Sequence, residues 1–102
     1  MAQFLVTARD GTDAEAPARR AAARPAHLAG LAGMGAFGGA MVVGGATLDG
    51  AGTPTGSAMV VEFPDRAALD AWIAADPYTT GGVWREVEVV GFRVAVERGA
   101  GG

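Results

Sequence analysis

His27 is the only histidine in this chain of 102 residues, and it follows Arg24-Pro25-Ala26. An unperturbed imidazole titrates close to neutrality, so this side chain can take up and return a proton under ordinary conditions. The second chemical landmark is Asp76-Pro77-Tyr78, where the proline marks the end of a helix. A carboxylate at that end opposes the helix dipole and calls for a compensating positive charge. A histidine can supply it. Asp76 against one ring nitrogen would fix the tautomer and leave the other nitrogen free as a base. Plainer roles compete with this one: His27 packing or capping at a helix end, and Asp76 capping the loop after it.

Composition removes several other chemistries. There is no cysteine, hence no disulfide, thiolate nucleophile or thiolate metal site. One histidine and scattered carboxylates make a poor ligand set for anything but hard cations, so no metal and no other cofactor is expected. The net charge is −3 and every basic residue is an arginine, which argues against nucleic-acid binding through a concentrated basic face. A local arginine can still hold an anionic substrate. No apolar stretch reaches membrane-spanning length, and Met1–Val6 lacks the basic and apolar regions of a secretory signal. A soluble cytoplasmic protein without a membrane partner is the expectation.

The elements that must position these residues follow from periodicity and punctuation. Gln3–Arg9 alternates as a strand, and Thr12 with Glu15 fits a capping box ahead of the helical run Ala18–Ala23. Pro25 disfavours helical geometry at Arg24, so the helix should break there and restart with His27 in its first turn, where the dipole favours a neutral ring. Gly33–Gly38 spells G-x-G-x-x-G, but it lacks the preceding strand and following helix of a dinucleotide site. Ala40–Leu48 reads as a strand with Gly44-Gly45 at its middle, a bulge by preference or else a point where a ligand approaches backbone. Ser57–Phe63 is a strand apolar on both faces except at Glu62. It needs a layer on each side, and the chain has helices for one, which implies a second subunit. Some of Met59, Val61, Phe63, Val90, Phe92 and Val94 should meet that copy.

Asp65 caps a helix over Arg66–Ala75 with Leu69, Trp72 and Ile73 buried, ended by Asp76-Pro77. Tyr78–Gly82 reads as a loop, and Val83–Val96 as the last strand, bent at Gly91. Trp84 follows the loop and can line the pocket or the dimer contact. The order is βαββαβ, an α+β ferredoxin-like sandwich with an antiparallel sheet and both helices on one face. One domain spans residues 1–98, followed by a glycine-rich, disordered tail over 99–102.

Taken together, Arg24-Pro25-Ala26-His27-Leu28, Gly44-Gly45, Met59–Phe63 and Ala75-Asp76-Pro77-Tyr78 resemble the YCII-related (YciI-like) family over roughly Gln3 to Val96. The resemblance implies a dimeric α/β barrel, formed when two ferredoxin-like sheets pack face to face. It also implies a His–Asp pair at His27 and Asp76, with Arg24 and Tyr78 beside it. The family is similar in fold to muconolactone isomerase and to small monooxygenases, and its members include a dehydrochlorinase of aromatic degradation. This chain departs from the family in the alanine- and glycine-rich helix after His27, where small side chains would enlarge a pocket.

The leading expectation is an isomerase- or lyase-like enzyme that needs no metal. His27 is the general acid/base and Asp76 orients it. Arg24 holds an anionic group, Tyr78 donates a hydrogen bond, and Gly45 and Trp84 complete the substrate contacts. The partners are a second copy, or a higher oligomer, and an unknown small molecule. The alternative is a non-catalytic dimeric module that binds a metabolite or a protein. A cofactor-independent monooxygenase rests on fold analogy alone.

Overall fold

In β1 (Ala2–Asp10), period-two alternation puts Phe4, Val6, Ala8 and Asp10 on one face. That face is the buried one: Val6, Ala8 and Asp10 are nearly inaccessible. The chain continues through α1 (Ala16–Ala32), a 3-10 turn (Met34–Phe37), β2 (Ala40–Leu48), β3 (Pro54–Phe63), α2 (Arg66–Ala75), α3 (Pro77–Thr80) and β4 (Trp84–Phe92). The structure is a computed structural model that describes residues 1–98. The tail expected over 99–102 lies outside the described residues.

The strands form one sheet in the order β2-β3-β1-β4, antiparallel at every pairing. This is the α+β ferredoxin-like arrangement expected from the element order. Val6, Met59, Val61 and Phe63 from the sheet meet Leu69, Trp72 and Ile73 of α2, with Ala23 and Leu31 of α1 packed against the same core. Trp72 lies against the Phe63 ring at 6.0 Å between centroids. Asp65 caps α2 as expected, accepting from the Ala68 N–H at 2.8 Å. No helix among the described residues is long and apolar enough to cross a membrane.

Several expectations need correction. The helix does not break at Arg24-Pro25: α1 runs unbroken from Ala16 to Ala32 with Pro25 inside it. An interior proline costs about 3 kcal/mol. Here it is flanked by alanines, which favour helix, and by a buried polar anchor on each side, Arg20 before it and His27 after it. His27 therefore sits well inside a helix, and a first-turn dipole does not act on it. The capping box at Thr12 does not form either. Glu15 occupies the cap position with no side-chain bond, while the neighbouring Asp13 pairs with Arg19 at 2.7 Å.

Gly44-Gly45 carries no bulge. The register shifts fall on either side, at Met41/Val43 and Thr47/Leu48. Pro77–Thr80 is a short helix and not a loop. The last strand ends at Phe92, paired with Gln3, and not at Val96; the Gln3 side chain, accepting from the Val94 N–H, takes up the chain just beyond it. Met59, Val61 and Phe63 face the helices, so they are not available to a second copy. The opposite face carries the cross-strand row Val43–Val60–Leu5–Val90, with Val43, Val90 and Phe92 exposed.

Candidate active site

Asp76 closes α2 and opens α3. Its Oδ2 accepts from the Tyr78 backbone N–H at 2.8 Å, which is the cap of the short helix. The same carboxylate meets His27 Nδ1 at 2.8 Å through Oδ2 and 3.0 Å through Oδ1. Capping and pairing with histidine are thus both satisfied by one side chain. Asp76 is 3% exposed and His27 9%, so little water competes for the contact. A carboxylate on Nδ1 makes that nitrogen the N–H donor in either charge state. In the neutral ring the lone pair then lies on Nε2. Nε2 has no protein partner among the described residues and is not among their sealed, unpartnered atoms.

The ring cannot turn freely. Tyr78 stacks on it with centroids 3.8 Å apart and planes 9° apart. Trp84 stands edge-on to both rings, at 5.8 Å from His27 and 5.6 Å from Tyr78. On the other side of Tyr78, the Arg20 guanidinium lies 4.8 Å from the ring centre, within cation–π range. Burial pushes the Tyr78 phenol above its ordinary pKa, against the opposing charges of Arg20 and Arg24. At neutral pH it is therefore a protonated donor.

A pocket of about 240 Å³ opens beside these groups, bordered by Arg20, Arg24, His27, Tyr78, Ser57 and the Gly44–Ala46 segment of β2. Arg24 is exposed on α1 at its rim. Gly45 contributes backbone only: it pairs with Ala58, on the sheet face away from the helices. Gly44 pairs with the buried Met59, and a Cβ there would point at Met59 and Met41. Trp84 does not line the pocket. It is buried behind the His27 and Tyr78 rings.

A second polar network was not foreseen from sequence. Arg20 Nη1 donates to both Asp10 oxygens at 3.0 and 2.9 Å, and Nη2 donates to Ser57 Oγ at 3.1 Å. Trp84 Nε1 donates to the same Oγ at 3.1 Å. Asp10, Arg20 and Ser57 are all buried. The available signals were the position of Asp10 on the stripe of Val6 and Ala8, and the spacing of Arg20 two helical turns before His27. Among the described residues no group of three or more metal-ligating side chains comes together.

A family model described as the YCII-related domain matches residues 2–93. The chain belongs to the YCII-related family. Protein YciI of Escherichia coli O6:H1 is 35% identical over 95 residues, covering 88% of this chain and 95% of that protein. YciI of Shigella flexneri matches to the same extent. Among solved structures, the 5-chloro-2-hydroxyhydroquinone dehydrochlorinase TftG of Burkholderia phenoliruptrix AC1100, in complex with 2,5-dihydroxybenzoquinone, superposes with a TM-score of 0.75 at 25% identity. The match covers 89% of this chain and 93% of TftG. A dimeric ferredoxin-like protein of unknown function from Jannaschia sp. CCS1 shares the fold, with a TM-score of 0.52 at 17% identity over 92% of this chain and 100% of that one. In this YCII-related chain His27 packs against Asp76, Tyr78 and Trp84, and Arg24 and Gly45 border the pocket that His27 and Tyr78 line.

Proposed function

We propose that this YCII-related protein moves a proton on a small enolisable molecule, as an isomerase or lyase does, with His27 and Asp76 as its acid/base pair. The observation that carries this is the division of the imidazole. Nδ1 is held by a buried carboxylate at 2.8 Å, and Nε2 is left to the pocket. The neutral ring takes a proton from the substrate at Nε2, and Asp76 stabilises the resulting imidazolium. Returning that proton to a different substrate atom completes an isomerisation. On a ring carbon that carries chlorine, protonation of that carbon gives a keto form. Collapse of the neighbouring enolate then expels chloride with the C–Cl electron pair, a net loss of HCl. General acid–base action of this kind contributes about 10²- to 10⁴-fold.

Arg24 attracts an anionic group at the rim, the Tyr78 phenol donates a hydrogen bond, Gly45 offers backbone and Trp84 keeps the rings in place. The likeness to TftG over most of both chains supports a flat, oxygen-rich ring as the substrate type. Two copies associate through the open sheet face, where Val43, Val90 and Phe92 are uncovered.

The test is anaerobic chloride release from 5-chloro-2-hydroxyhydroquinone. The wild type should accelerate it, and His27→Gln should lose about 10²- to 10⁴-fold. Equal rates for the two proteins overturn the acid/base role of His27. A wild type that binds 2,5-dihydroxybenzoquinone without accelerating release points to the binding module instead.

A further inference from the structure

We propose that Ser57 is a fixed hydrogen-bond donor of the pocket, and that the bound molecule presents a carbonyl or ionised enol oxygen to it. This deepens the proton-transfer reading and rests on it in taking the His27 pocket as the substrate's site.

The argument is a count of lone pairs. A serine hydroxyl has one hydrogen to donate and two lone pairs to accept with. Arg20 Nη2 and Trp84 Nε1 both donate to Ser57 Oγ, each at 3.1 Å. Neither nitrogen can accept, since guanidinium and indole N–H groups are donors only. Both lone pairs are therefore spent, and the hydroxyl hydrogen must point elsewhere. Among the described residues Ser57 Oγ donates to no protein group. Its cross-strand neighbours are Ala8 and Ala46, too small to fill the space beside it or to accept from it.

Arg20 is pinned by both Asp10 oxygens, which also balance its charge, and it braces Ser57 while bordering the pocket itself. Two donors pulling on one oxygen polarise its O–H further. Ser57 also borders an open groove of about 710 Å³ shared with Thr7, Asp10 and Thr47. The His27 pocket is taken as the functional side, because His27, Tyr78 and Arg24 line it together with Ser57. A ligand oxygen at this point has to accept. An ionised enol does so with its full charge and a carbonyl with two free lone pairs, whereas a hydroxyl meets the donor with a weaker acceptor.

Calorimetric binding of two probes decides the matter: 2,5-dihydroxybenzoquinone, and its two-electron-reduced form 1,2,4,5-tetrahydroxybenzene under argon. The wild type should prefer the quinone. Ser57→Ala should weaken quinone binding by about 10- to 100-fold and change the reduced probe far less. Ser57→Thr, which keeps the hydroxyl, should restore the preference. If Ser57→Ala does not fold, Ser57→Cys takes its place, with a weak S–H donor and the same direction of change. Equal loss for both probes means that Ser57 only braces Arg20 and Trp84, and overturns the proposal. A wild type that shows no preference, or binds neither probe, overturns it too, while chloride release judges the proton-transfer reading separately.

Discussion

The His27 imidazole lies flat against the Tyr78 ring, 3.8 Å between centroids, while the Tyr78 backbone N–H and His27 Nδ1 share one oxygen of Asp76. One carboxylate therefore aligns both rings. Replacing Asp76 by Ala leaves two buried donors without an acceptor, at a cost of about 1–3 kcal/mol each. Asp76→Asn, which keeps one acceptor oxygen, should lose less. Denaturant unfolding of the two variants gives the order. A further readout is the ¹⁵N spectrum of this lone imidazole: the neutral ring should carry its hydrogen on Nδ1 in the wild type and lose that bias in Asp76→Ala.

Tyr78 is the only tyrosine, so alkaline absorbance titration reports it without overlap. Burial raises its pKa above 10.0, and Arg20 and Arg24 pull it back. Arg24→Gln should move the midpoint higher still. The folded pKa exceeds the unfolded one, so the contribution of this group to stability is complete below pH 10.0. It is lost as pH rises through the folded value. A midpoint at or below that of a free tyrosine would contradict the burial of the phenol.

The two adjacent glycines of β2 should respond differently to a side chain. Gly44→Ala places a Cβ 3.0 Å from Met41 Sδ and 3.2 Å from Met59 Cβ, on the pocket side of the sheet. Met41 can yield, so the protein should fold, with quinone binding weakened about tenfold or more, as overpacking of 1–3 kcal/mol implies. Gly45→Ala meets no atom within 4 Å and points to the other face. Its binding should match the wild type. Equal effects in the two variants would show that the pocket does not press against β2.

Association through the open sheet face predicts that Val90→Glu yields a smaller particle in sedimentation velocity than the wild type. Val90 is 43% exposed and lies in the row with Val43, Val60 and Leu5, so the change costs little in an isolated chain. A wild type that sediments as a monomer at micromolar concentration rules the association out.

Local chemistry made β2 and α2 readable from sequence: Asp65 caps α2, and Asp76-Pro77 stops it. The pairing of His27 with Asp76 was legible because a carboxylate at the end of α2 calls for a positive partner and because the two motifs together resemble a family. Pro25 misled because a local rule met a tertiary override. The helix is pinned on both sides of the proline by side chains whose partners, Asp10 and Asp76, lie on other elements. The Asp10–Arg20–Ser57 network stayed hidden for a related reason. Its members come from β1, α1 and β3, and no short-range spacing links them. The orientations of Gly44 and Gly45 depend on the register against β3, which shifts at Met41/Val43.

Pro25 has no N–H, so one rung of the α1 ladder, to the Ala21 carbonyl, cannot exist. The missing rung falls between the two buried anchors of one continuous helix. The first half is tied to the sheet through Arg20, and the second to the α2–α3 corner through His27. The proton carrier and the fixed donor are thus each held by an anchor on another element, and not by an unbroken ladder between them.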